Sequence, residues 1–330
     1  MNKKQLFDML LSVWSSDEVA SKYEGEKFVV LVVNGVAHKL TSESGVVKNT
    51  EIHSLRSNQE ESGTRFILYL RYAQDQNFDC GVIRSADSDV FFILLHYAKD
   101  FTIPIYLDTF RKLIDISGLS KSLSPYYSTV LMGLYCYTGE DCSSAFKGKG
   151  KVRPLQKLEK NPRFQEVFAK LGSDWDIDEY IMNEVEQFTC LMYGYPRLSS
   201  IDEVRYLKLK EMVGDEEKLT SKSKVDLSKL PPCMSSLQMH VERVNYRLAQ
   251  WKHSHIPIYE MPDPLEHGWE YDDKLEPKWS NGPILPQKLI DIVPGSEPNE
   301  AESDSDDDGS EEEVSDIEDI VYSDADSEVE

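Results

Sequence analysis

Apolar residues recur along this chain with two different periods, and the switches between them mark out its elements. Leu6, Met9, Leu10, Val13 and Trp14 follow i, i+3, i+4, i+7, i+8, which predicts an amphipathic helix over 3–23. Residues 28–33, the dipeptide Asn34-Gly35 and residues 36–40 spell a β-hairpin. Residues 41–57 read as a polar connector. The apolar run 66–70 predicts a helix reaching about Gln74, with Glu60 and Glu61 in its first turn. Gly81-Val82-Ile83 predicts a buried strand ending at Arg84. A tight turn carries Asp87 and Asp89, and the wholly apolar run 90–95 predicts a helix over 88–99. Residues 103–107 form a further short strand, with Pro104 favouring an edge or a strand start. Asp108 is placed to cap a helix over 109–117, and 124–135 is another helix. The second half reads as helices over 155–170, 177–193, 201–212 and 234–253, broken at Gly172, Gly194-Tyr195-Pro196 and Leu230-Pro231-Pro232.

Helices alternating with strands suggest βαβ units. The expected fold class is α/β, a mostly parallel sheet flanked by helices with right-handed crossovers. Four regions follow: an α/β domain over 1–150, a helical region over 151–255 that opens on a basic hairpin, an irregular Pro- and aromatic-rich segment over 256–293 that packs on the body, and a disordered acidic tail over 294–330.

Composition sharpens this picture. The net charge is −23 over 330 residues, but 17 acids and no Lys or Arg fall in 297–330, which leaves the other 296 residues at −6. The five cysteines, Cys80, Cys136, Cys142, Cys190 and Cys233, are odd in number and form no CxxC pair. They fit reduced thiols in nucleus or cytoplasm, not a disulfide frame or a zinc site. No signal-peptide pattern opens the sequence, and its apolar runs are too short to span a bilayer, so no membrane partner is expected. His253, His255 and His267 could form a metal trio, but scattered surface histidines are the simpler reading.

Three turns carry paired acids: Glu60 with Glu61, Asp87 with Asp89, and Glu140 with Asp141. Two of them have a bland reading: Asp87 as a helix cap with Asp89 in the first turn, and Glu60 and Glu61 as acids that complement a helix dipole. Brought together, such hard oxygen ligands suit Mg²⁺ or Mn²⁺, and two such ions can hydrolyse a phosphodiester. Over 147–163 there are seven Lys or Arg against one acid, Glu159. Lys147, Gly148, Lys149, Gly150, Lys151 and Arg153 offer backbone N–H groups and cations to a DNA or RNA backbone, or form a solvated loop. The stretch lacks the P-loop spacing, so no nucleotide cofactor is expected. The acidic tail suits a basic protein partner, and Ile320-Val321-Tyr322 could add a strand to one.

Ser57-Asn58-Gln59-Glu60-Glu61 with Thr64-Arg65, the run 83–90 around Asp87 and Asp89, and the run 138–151 from Thr138 to Lys151 resemble the PIN-like domains of the flap-endonuclease superfamily. More narrowly they resemble a mobile-element-associated group of animal genomes. The resemblance runs over about 3–290 and includes Tyr193-Gly194 and His267-Gly268-Trp269. It implies that Glu60, Asp87, Asp89 and Asp141 are metal-binding catalytic acids, and that 148–151 open an element gripping duplex phosphates. Two departures stand against activity. Ser62-Gly63 replaces the group's Ala-Asp, and the family's first strand with its metal-binding Asp has no counterpart here, as in an N-terminally truncated chain. The expectation is therefore a divalent-metal-dependent nuclease, weak or cryptic. The alternative is a catalytically inactive module that binds nucleic acid or protein.

Overall fold

The computed structural model describes residues 3–23, 25, 27–124, 126–213 and 226–282. The acidic tail and its 320–322 motif lie outside the described residues. The chain divides into two compact units, Met1–Ser128 with Gln250–Met261, and Thr129–Ala249 with Pro262–Glu330.

In the first unit, α1 (Lys3–Trp14) stops well short of the expected residue 23 and gives way to a 3-10 helix over Asp17–Tyr23. A meander follows: β1 (Val29–Val33), β2 (Val36–Glu43) and β3 (Val46–Glu51), antiparallel throughout, with Val33 opposite Val36 and Glu43 opposite Val46. Both hinges are two-residue turns with positive φ at each position, 52° and 81° at Asn34-Gly35 and 55° and 82° at Ser44-Gly45. That geometry matches the twist of paired strands. β3 occupies part of the expected connector. Only Val47 and Glu51 are even half-buried, so no apolar alternation announces the strand.

Then come α2 (Ser62–Asp75), β4 (Gly81–Arg84), α3 (Ser88–Tyr97), β5 (Ile105–Asp108), β6 (Leu113–Asp115) and α4 (Ile116–Ser122). β4 and β5 are parallel, with Gly81 opposite Ile105, and α3 is their crossover. β6 turns back antiparallel to β5. The fold is α/β, but its sheets are small and either antiparallel or mixed, which corrects the expected mostly parallel sheet. Tight turns are the reason, because a two-residue hinge permits only antiparallel neighbours. The helix expected over 109–117 is corrected in the same way. Asp108 accepts the Phe110 N–H at 2.9 Å, and Thr109 N–H reaches the Lys112 carbonyl at 3.0 Å, so the chain reverses into β6. Asp115, not Asp108, caps the next helix, accepting the Gly118 N–H at 2.8 Å.

α3 is core on every side. Val90, Phe91, Phe92, Ile93, Leu94 and Leu95 are all buried, as the unbroken apolar run requires. Gly81 is needed where it stands, since a Cβ there would lie 2.3 Å from Leu70 Cδ2 on α2. The returning segment is tied in by polar groups. Tyr97 Oη donates to the Lys252 carbonyl at 2.6 Å, and Gln59 Nε2 donates to the Ile256 carbonyl at 2.8 Å.

The second unit is helical: most of α5 (Tyr127–Tyr137), then α6 (Val152–Glu159), α7 (Pro162–Lys170), α8 (Glu179–Met192), α9 (Ile201–Val213) and α10 (Met234–Lys252) up to Ala249. The single helix expected over 155–170 is two. Pro162 has no N–H and forces Asn161 out of the helical region, to φ −134° and ψ 83°. Tyr137, Phe168, Phe188 and His240 stack at the centre, with Phe168 and Phe188 centroids 4.8 Å apart. A hairpin, β7 (Trp269–Asp272) and β8 (Lys274–Pro277), is anchored by Arg243 of α10, which donates to the carbonyls of Gly268 and Lys278 at 2.7 and 2.6 Å.

Candidate nucleic-acid interface

The acids come first, because their chemistry is the more demanding. Asp87 is the N-cap of α3, at φ −77° and ψ 123°, and its Oδ1 accepts the Asp89 N–H at 2.9 Å. Asp89 is buried in the first helical turn. The pair sits at the carboxyl end of β4, as the sequence predicts. At the same end Arg84 binds Asp108 at 2.7 Å and holds that carboxyl below its usual range. Glu60 and Glu61 precede α2 and are exposed, with Glu61 as the N-cap, so neither lies in the first turn where the sequence puts them.

In the second unit Glu140 points inward. Its side chain has no exposed surface, its Oε2 accepts the Cys142 N–H at 2.9 Å, and Arg247 Nε stands 3.7 Å away. Burial pushes its carboxyl above the usual range, and Arg247 opposes that rise. Asp141 is exposed in the following turn. Among the described residues no three His, Cys, Asp or Glu side chains are grouped to hold a metal ion. Two carboxylates such as Asp87 and Asp89 can carry a hydrated Mg²⁺. Within the first unit, Asp87 and Asp89 are the residues that would hold such an ion.

The basic stretch is more selective than its sequence suggests. Lys147 pairs with Asp226 at 3.7 Å. Lys151 turns inward, donating to the Gly139 carbonyl and lying 4.4 Å from the Tyr135 ring centroid. Arg163 is taken up by Glu184 and by Gln187, the latter at 2.9 Å. Lys149 and Arg153 instead line a pocket of about 260 Å³ together with Gly148, Lys157, Tyr193 and Gly194. Lys149 Nζ lies 4.0 Å above the Tyr193 ring. Its pKa is lowered, first by burial and then by the positive charges of Lys208, Lys157 and Arg153.

The backbone adds to this polarity. Gly148 and Gly150 take positive φ, 74° and 56°, and turn the chain into α6. α6 then opens without a side-chain cap on its first N–H groups, the setting in which a helix end receives an anion. Sequence reasoning missed Lys208. It stands on α9, about fifty residues from the basic stretch, where it pairs with Glu211 at 2.8 Å, and no local pattern ties it to Lys149.

Compared with protein-family models, curated proteins and solved structures, the chain matches none.

Proposed function

We propose that this protein binds the phosphate backbone of DNA or RNA through the basic pocket of its second unit. One observation carries the reading: Lys149, Arg153 and Lys157 line one concave site built on two glycine turns and an aromatic ring, and the neighbouring positive charges bear on Lys149. Like charges held together are relieved by a polyanion, which gains further from counterion release. Backbone N–H groups at the start of α6 would add sequence-independent contacts. Fluorescence anisotropy of a labelled oligonucleotide tests this. The double variant Lys149→Glu/Lys157→Glu should bind at least about tenfold more weakly at moderate salt, and a chelator should change nothing. Equal affinity of variant and parent would contradict the proposal.

A second reading, cleavage, is favoured by the position of Asp87 and Asp89 at the carboxyl end of β4, the edge where open α/β sheets bind ligands. Mg²⁺ or Mn²⁺ there would supply Lewis-acid chemistry to a phosphodiester. With Mn²⁺ present, the parent chain should then cut branched or single-stranded DNA and Asp87→Ala should not. A parent chain that cuts nothing sinks this reading and leaves the first untouched.

A further inference from the structure

The first unit carries a groove that neither reading uses. It has a volume of about 650 Å³, and its walls are Phe28, Val30 and Val32 on the β1 side, Tyr69 on α2, and Phe78 and Val82 beside and on β4. Phe78 and Val82 are 43% and 54% exposed, a large solvent contact for two apolar side chains.

One wall is an open strand edge. β4 pairs with β5 alone among the described residues. Gly81 N–H donates to the Pro104 carbonyl at 2.9 Å and Ser85 N–H to the Asp108 carbonyl at 3.0 Å. Successive residues of a strand direct their N–H and C=O groups to opposite edges. The backbone groups of Val82 therefore face away from β5. An unpaired edge beside an apolar trough calls for a backbone, which a small apolar molecule cannot provide.

The groove's rim says something of the occupant's charge. Lys27 lines the groove, and Lys39 Nζ stands 4.2 Å from the centroid of Phe28. Neither lysine forms an ion pair among the described residues. We propose that an extended segment of a partner protein docks here by adding a strand to β4. Such a segment carries apolar side chains at alternate positions, to meet the groove walls, and acids at one end, to meet Lys27 and Lys39.

Cys80 provides the readout, since it is exposed and lines the groove. The full chain is titrated with a synthetic acetyl-Glu-Asp-Val-Thr-Ile-Lys-Val-Gly-amide peptide while Cys80 alkylation by iodoacetamide is followed. The peptide should slow alkylation several-fold. The same peptide N-methylated at alternate residues should not, because it keeps the apolar side chains and loses the ladder. Val82→Pro removes a donor on the open edge without touching the β5 ladder, and should abolish protection. Val82→Lys, checked for folding by circular dichroism, should do the same.

Three results would overturn the proposal. They are no protection at millimolar peptide, equal protection by the methylated peptide or by a fatty acid, and protection that rises with protein concentration alone, which would assign the groove to a second copy.

Discussion

Asp87 holds the start of α3 through one oxygen, so Asp87→Ala leaves the Asp89 N–H without its acceptor. The expected loss is about 1 kcal/mol by urea unfolding, and Asp87→Asn should recover most of it. A metal-ligand role ranks the variants differently, with Asn as damaging as Ala to ion uptake.

His240 makes a different claim. Its ring is buried beside Tyr137, it donates to the Tyr137 carbonyl at 2.9 Å, and burial drives its pKa down to about 4. Unfolded, it titrates near 6.5. Between these two values the unfolded chain binds the proton and the folded chain does not, so stability falls as pH drops from about 6.5 towards 4 and levels off below that. Glu140, with its raised carboxyl, acts in the opposite sense. The comparison with His240→Gln, which keeps a donor for Tyr137, isolates the histidine. The parent should lose up to about 3 kcal/mol more than the variant between pH 7 and 4 in chemical denaturation. The cap at Asp87 could be read from the sequence because it depends on its neighbours alone. The inward turn of Glu140 could not, because Arg247, its partner, lies 107 positions away in the chain.

Among the elements, the legible ones are those with local signals. Asn34-Gly35 fixed the first hairpin, and the apolar run 90–95 fixed α3. β3 and β6 were missed for physical reasons. β3 is largely solvated, and its hinge is a Ser-Gly pair. β6 has three residues and owes its direction to a turn in which Phe110 takes φ 66°. The break between α6 and α7 was missed although Asn161-Pro162 signals it, since that proline removes one N–H and restrains the residue before it. Packing between elements makes a sharper prediction at Gly81. A Cβ there meets Leu70 Cδ2 at 2.3 Å, so Gly81→Ala should cost about 1–3 kcal/mol. Gly81→Ala/Leu70→Ala should show coupling of opposite sign in a double-mutant cycle on thermal or urea unfolding.

For the molecule as a whole, charge is distributed against its own average. A mildly acidic body carries three cations, Lys149, Arg153 and Lys157, around one concave site. Composition revealed the basic stretch but not its sorting. Lys147 and Lys151 are occupied by Asp226 and by the Gly139 carbonyl, whereas Lys149, Arg153 and Lys157 face the pocket. That sorting gives the most direct test, the dependence of oligonucleotide affinity on salt. For the parent, log K should fall linearly with log salt. Lys149→Gln should make the slope shallower by roughly one phosphate contact, while Lys151→Gln should leave it unchanged. Parallel lines for the parent and Lys149→Gln would contradict the account.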